Sequence, residues 1–229
     1  MPLRRRRVLV LTAVEAEREA VLAGLAAAGR PADRTVVETV GVGPASAAAR
    51  GMFHMVAQQT ASVLDLVVCA GIGGGFSPAA PVGSLAVAES IVAADLGVRT
   101  ADGFTPLAEL GFGRGELRPP ARLSRAVAAA LGASYGPVLT VATVTGTAER
   151  AAELADRHPG AVAEGMEGFG IAEAADVAGV PVLEIRGISN AVGPRDRAAW
   201  RIGDALAALT AAFGKLPGVL EVEAGHDDS

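Results

Sequence analysis

The 229-residue sequence predicts a three-layer α/β sandwich with a central mixed sheet. Three observations carry that fold class. Short apolar runs rich in Val, Ile and Leu alternate with helical stretches along the chain. Several of these runs are apolar at successive positions rather than at every second one, the mark of strands buried on both faces. Hydrophobic residues make up 51% of the chain, enough for a large core, and aromatics only 3%, so Ala, Val and Leu must fill it.

Taken in order, the elements follow from pattern and punctuation. Arg4–Arg7 and the apolar run behind them look briefly like a secretory signal. That run is short, however, and meets Glu15, Glu17 and Arg18 with no small-residue cleavage site. It reads instead as a first strand, 7–13, followed by a helix through 14–29. Residues 34–43 form a second strand system, and 44–59 a helix opened by Pro44, which suits a first turn. The stretch LDLVVCAGIGGG, 64–75, is an apolar strand running into glycines, as a buried central strand does. Residues 82–97 suggest further strands, 103–120 are irregular, 121–133 form a helix and 136–146 a strand. A short helix over 147–160 is closed by Pro159 and Gly160. Then come AVAEGMEG (161–168), a helix over 169–180, a strand over 181–190 and a last helix from about Arg197 to Phe213. Residues 1–6 and 216–229 read as loose ends of one domain spanning 1–229.

Composition excludes several function classes. A formal charge of −5 argues against nucleic acid as a general partner, because phosphate neutralisation needs a basic face. No apolar run approaches a membrane span. Cys69 is the one cysteine, which rules out an intramolecular disulfide and fits a reducing cytoplasm. His54, His158 and His226 are scattered without metal-ligand spacing, so no metal is expected. Neither a G-x-S-x-G elbow nor a G-x-x-x-x-G-K-[ST] loop is present, and the one lysine, Lys215, makes Schiff-base chemistry unpromising. No cofactor is expected either. Catalysis must rest on carboxylates, amides, hydroxyls and backbone groups.

Ligands of α/β sheets bind at the carboxyl ends of strands. Four such ends are polar or glycine-rich: TAVEAE, GVGPAS, CAGIGGG and GISN. GVGPAS (41–46) nearly matches the dinucleotide fingerprint, but Ser46 replaces the third glycine and no acid follows at the end of the next strand, so a tight strand-to-helix turn is the simpler reading. Gly73 and Gly74 lie in a glycine run that lets backbone approach a ligand closely, or merely allows tight packing. No Lys, Arg, Ser or Thr lies between Cys69 and Phe76. A neutral nucleophile or a sugar therefore fits this loop better than phosphate. Glu15 completes a capping box with Thr12 as N-cap. Glu17 has no cation four positions away on either side, and on sequence alone a solvated helix-surface acid is its plainer reading. Glu167 either answers the dipole of a helix N-terminus or accepts from a pair of adjacent hydroxyls. Asn190 is either a turn-former or N-cap, or an amide that could meet both N7 and O6 of a 6-oxopurine.

TAVEAE, GVGPASAAA, CAGIGGGFSPAAPVGSLAVAES, GMEGFGIAEAA and VPVLEIRGISN, in that order along most of the chain, resemble the nucleoside phosphorylase and nucleosidase superfamily. The general likeness is to methylthioadenosine/S-adenosylhomocysteine nucleosidases. ESIVAADLGVRTADGFTPLAELGFG and the ending ISN are similar to the futalosine hydrolases of menaquinone biosynthesis. The resemblance implies a nucleoside phosphorylase-like fold and the following roles. Glu17 activates the attacking water. Met166 lies under the ribose and Glu167 holds its 2′ and 3′ hydroxyls. Gly73 and Gly74 belong to the loop near sugar and nucleophile, and Val144 and Thr145 to the segment beside the base, without the family's usual stacking aromatic. Asn190 replaces the aspartate of the adenine-specific enzymes.

Two departures shape the expected reaction. Cys69 and Ile72 stand where phosphorylases carry a phosphate-binding Arg and Ser, which favours water as nucleophile. Asn190 can donate to O6 and N7 of hypoxanthine, where an aspartic acid serves adenine. The expectation is therefore hydrolysis of futalosine to hypoxanthine and dehypoxanthine futalosine. The alternatives are an adenine-type nucleosidase, a purine phosphorylase and, from another class, a non-catalytic nucleoside-binding protein. Phe104 and Phe112 are candidates to read the 5′ substituent, with Arg114 or Arg118 beside it. By the same resemblance this segment reaches the site of a neighbouring subunit, in a homodimer or larger homo-oligomer.

Overall fold

The computed structural model describes residues 6–29, 34–101 and 103–227; the expectation for residues 1–5 lies outside the described residues. A mixed sheet forms the middle of the molecule. Strands β1 (Val8–Thr12), β2 (Thr35–Thr39) and β3 (Leu66–Gly75) are parallel, with β1 between the other two. Strand β3 also pairs with β10 (Val182–Ala191) in parallel and with β9 (Ala163–Gly165) in antiparallel. From β10 the sheet continues through β4 (Leu85–Ala93) and β8 (Ser134–Thr140) to β9, so it closes on itself at β3. This is the expected central mixed sheet.

Period-two alternation sends each strand's side chains to two separate cores. Val8, Val10, Leu66, Val68, Leu183 and Ile185 face one way. They pack beneath α1 (Glu15–Ala27), α3 (Ala121–Leu131) and α6 (Ile202–Asp227), which supply Val21, Val127, Leu209 and Phe213. Leu9, Leu11, Val67 and Cys69 face the other way, against Met55 of α2 (Pro44–Ala61) and Ile171 of α5 (Gly168–Val177). Both faces are covered, which is why the strands read as unbroken apolar runs.

Three regions differ from the sequence reading. Residues 97–117 hold regular pieces: a hairpin of β5 (Gly97–Thr100) and β6 (Gly103–Pro106), then β7 (Glu116–Leu117) on the edge of β4. Helix α4 (Ala148–Arg157) stops before Pro159, and Thr147 caps it by accepting from the amide of Arg150 at 3.2 Å. The last helix starts later and runs further than expected. Pro217 cannot donate a hydrogen bond to the preceding turn, yet α6 continues through it to Asp227. Leu216 and Leu220, one turn apart, are buried in the same core as Leu209 and Phe213. Packing outweighs the break, so residues 216–227 are helical rather than loose.

Candidate active site

Because β1, β3 and β10 are parallel neighbours, their carboxyl ends open at one place on the rim of the sheet. The chain leaves β1 into α1, passes the glycines of β3, and leaves β10 at Asn190–Ala191. The turn that leads into α5 brings Met166 and Glu167 to the same rim.

Glu17 is not a surface acid. Helix α1 has Val14 rather than Thr12 at its N-cap, which makes Glu17 the third helical residue and turns its carboxylate inward. Oε2 accepts from the amides of Ala13 (2.9 Å) and Val14 (3.2 Å), and Oε1 from the amide of Ile72 (2.8 Å). The residue is 3% exposed. Burial raises its pKa above the ordinary carboxylate value, while the Ile72 amide and the charge of Arg186 pull the other way. Glu15 is the acid that stays in solvent, paired with Arg18 at 2.8 Å, and the capping role assigned to it belongs to Glu17. Glycine at 71 is required by this arrangement. A Cβ there would stand 2.7 Å from Glu17 Oε1 and 2.8 Å from Arg186 Nη1.

Glu167 is buried too. Its Oε1 accepts from the amide of Gly43 (3.2 Å), and its Oε2 from Arg186 Nη1 (3.2 Å) and from the amide of Met166 (3.3 Å). Gly43 sits at the N-cap of α2 with φ +92°, a conformation that suits glycine. The GVGPAS motif is thus a tight turn that aims one amide at Glu167. Met166 is half-buried beside it.

Arg186 and Glu184 were not singled out in the sequence, and they lie at the centre of the cluster. Arg186 Nε donates to Glu184 Oε1 (2.9 Å), Nη1 to Glu167 and to the carbonyl of Ile72 (3.4 Å), and Nη2 to Cys69 Sγ (3.4 Å). Burial would lower the pKa of Arg186, but its anionic neighbours, Glu184, Glu167 and Glu17 among them, hold it well above the usual value. It stays cationic. Burial pushes the pKa of Glu184 up, and that of the Cys69 thiol well up. The signal was available: two charged residues at i and i+2 of an apolar strand share one face. A cation therefore does lie under the glycine loop, contrary to the expectation from the loop's own residues. Three carboxylates, those of Glu17, Glu167 and Glu184, surround it, so the local charge disfavours phosphate.

Asn190 is half-buried at the end of β10, paired with Gly74, and its Nδ2 lies 3.3 Å from where a Gly74 Cβ would stand. Ser189 Oγ donates to Asn190 Oδ1 (2.8 Å), and Nδ2 donates to the carbonyl of Ala191 (2.9 Å). Gly73 and Gly74 are partly open, and their missing side chains admit Glu164, Asn190 and Val192. Glu17, Gly73, Gly74, Met166, Glu167 and Asn190 thus gather along the last turns of β3. Val144 is 45% exposed on the loop after β8. Thr145 faces inward instead. Its amide donates to Glu164 Oε1 (2.9 Å) and its hydroxyl to Glu164 Oε2, so it anchors the loop.

The hairpin residues are elsewhere in this chain. Phe104 stacks under the guanidinium of Arg157 at 4.1 Å, and Phe112 is 68% exposed. Arg114 is committed to Glu173 (2.8 Å) and Asp176 (2.6 Å) of α5, and Arg118 to Glu116 (2.6 Å). Among the described residues no group of three or more His, Cys, Asp or Glu is arranged to hold a metal ion, and no helix is long and apolar enough to cross a membrane.

Comparison with known proteins bears on this geometry. The family model described as Phosphorylase superfamily matches residues 11–220. Futalosine hydrolase of Streptomyces coelicolor is 57% identical over 96% of this chain and 99% of its own. Futalosine hydrolase of Acidothermus cellulolyticus is 41% identical over 91% of this chain and 89% of its own. Among solved structures, a methylthioadenosine/S-adenosylhomocysteine nucleosidase of Colwellia psychrerythraea in complex with adenine superposes with a TM-score of 0.78, covering 96% of this chain and 98% of that one at 19% identity. At that identity the likeness is one of fold.

Proposed function

The chain belongs to the phosphorylase superfamily, and within it we infer that it hydrolyses the N-glycosidic bond of futalosine, releasing hypoxanthine and dehypoxanthine futalosine in menaquinone biosynthesis. The observation that carries the reading is the identity to futalosine hydrolase of Streptomyces coelicolor along nearly the whole of both chains. Three carboxylates, Glu17, Glu167 and Glu184, around the one guanidinium of Arg186 leave the ground beneath the glycines net negative, which favours water over phosphate as the nucleophile.

We assign the steps to side chains as follows. Cleavage of the C1′–N9 bond leaves positive charge on the ribosyl ring and negative charge on the purine. Glu167, fixed by Gly43, Met166 and Arg186, accepts from the 2′ and 3′ hydroxyls and faces the cationic ring. Glu17, fixed by three amides, takes a proton from water as the oxygen bonds to C1′. That general-base role is worth on the order of 10²–10⁴ in rate. Asn190 donates its amide hydrogens to O6 and N7 of the departing hypoxanthine. To do so Nδ2 exchanges its contact with the Ala191 carbonyl for the base, while Ser189 continues to hold Oδ1. A proton equivalent to the one removed from water ends on the purine. Met166 floors the sugar, and Gly73 and Gly74 leave space beside it.

A homodimer fits the remaining surface. Phe53, 70% exposed on α2, and Phe112 in the segment after the hairpin are large apolar groups left in solvent by one chain. A partner's hairpin would bring Phe104 or Phe112 to the 5′ substituent. We place the protein in the cytoplasm, where a free thiol such as Cys69 persists. The deciding experiment is incubation with futalosine in phosphate-free buffer, with hypoxanthine followed by chromatography. Hypoxanthine release independent of phosphate is the expected result; release only with phosphate, or adenine release from methylthioadenosine instead, overturns it. Light scattering on the eluted protein reads the dimer.

A further inference from the structure

Glu184 has no part in the steps above, yet space is cleared for it. It is 0% exposed, at the third residue of β10, with Leu183 and Ile185 on either side turned to the opposite core. Its Oε1 accepts from Arg186 Nε, and among the described residues Oε2 has no hydrogen-bond partner. The carboxylate lies under the first residue of α5, where a Cβ on Gly168 would stand 2.3 Å from Oε2. A Cβ on Gly165 would stand 2.8 Å from the Arg186 Cζ. Two glycines therefore leave room for this one ion pair. For folding alone the pair is a poor choice, since a buried ion pair is often matched or bettered by apolar residues of equal volume. Its effect lies in direction. A guanidinium is a rigid planar fork, so an acceptor on Nε fixes where Nη1 points. Here Nη1 points at Glu167 Oε2.

We propose that Glu184 is a positioning residue for glycosidic cleavage: by holding Arg186 at Nε it sets the placement of the Glu167 carboxylate that receives the ribose hydroxyls. Glu17, Glu167, Cys69 and Glu184 are the ionisable groups around the guanidinium. With Glu184 removed, Nε loses its acceptor and the cation's charge falls on Glu167 and Glu17. The guanidinium then shifts toward Glu167 and draws that carboxylate away from the sugar. The inference rests on the reading of Glu167 as the diol acceptor, and its test separates the two.

kcat and KM are measured for futalosine and for its 2′-deoxy analogue, in the wild type and in the variants Glu184→Met, Glu184→Gln and Glu167→Gln, with thermal melting of each. Glu184→Met is expected to lower kcat/KM for futalosine by roughly 100-fold, as a small misplacement can. The deoxy analogue, lacking one hydroxyl, should lose much less, so the preference for futalosine collapses toward that of Glu167→Gln. Glu184→Gln, which retains an acceptor for Nε, should stay within about tenfold of wild type. A merely structural residue would lower the melting temperature and leave the substrate preference alone. If Glu167→Gln abolishes the preference while Glu184→Met retains it, the positioning role is wrong and the diol reading stands. If Glu167→Gln itself retains the preference, both fall. Should the Met variant not fold, Glu184→Asp, which withdraws the carboxylate by one methylene, decides by the same comparison.

Discussion

Two groups of charges in this molecule look alike in the sequence and behave oppositely in the structure. At the rim of β3 and β10, Glu17, Glu167, Glu184 and Arg186 are buried and bonded to one another or to backbone amides. Around the hairpin, Arg99 meets Glu153 at 2.9 Å and Arg114 meets Glu173 and Asp176, all on the surface. Water competes for every surface contact, so such pairs hold little energy and little geometry. No water replaces a lost partner inside, so each buried contact fixes a direction. Charge acts as chemistry only where the fold has removed the solvent alternative.

The largest effect should come from the rim carboxylates. Glu17→Gln and Glu167→Gln are each expected to lower kcat on futalosine by roughly 10²- to 10⁴-fold while the circular dichroism melt stays cooperative. A variant of either that turns over at wild-type rate would break the comparison at its root. Next come the glycines. Gly168→Ala places a methyl against the buried Glu184 carboxylate and should cost about 1–3 kcal/mol in chemical denaturation. Gly115→Ala, in the segment after the hairpin with nothing within 4 Å, should cost far less. Equal costs would mean the rim can relax.

A pH profile gives a smaller and sharper signal. As general base, Glu17 works ionised, and burial raises its pKa. The acidic limb of kcat/KM is therefore expected above the ordinary carboxylate range, with activity lost as pH falls through it. The same raised pKa means that the ionised Glu17 costs the fold stability, so stability from this group declines as pH rises. Removing the guanidinium with Arg186→Met should move the limb of any residual activity higher still, because a cation lowers the pKa of Glu17. The smallest effect belongs to the surface. Arg114→Ala should leave both the melt and kcat unchanged. A rise in KM confined to substrates with the full 5′ substituent would show instead that Arg114 reads that group.

Particular elements show how much could be read without coordinates. Strands β1, β3 and β10 were legible because burial on both faces leaves consecutive apolar residues, a purely local signature. The site's outline was legible as well: glycines, carboxylates and an amide at strand ends pointed to one rim. Glu17 was harder, since a capping pattern at Thr12 and Glu15 competes with the true one two residues later, at Val14 and Glu17. Glu184 and Arg186 passed as part of an apolar strand, because nothing local says that a charge is buried and paired. The partner of Thr145 was hidden for the same reason, its hydroxyl being held by Glu164 from another strand. The helix through Pro217 formed because Leu216 and Leu220 find a core that propensity cannot see.

By itself the sequence determined the fold class and the class of chemistry, since periodicity and residue type are written along the chain. Only the tertiary structure decided that three carboxylates share one guanidinium beneath a strip of glycines. Those groups are brought together from four separate segments, and the energy of a charge depends on its distance to other charges and to water, neither of which a linear order contains.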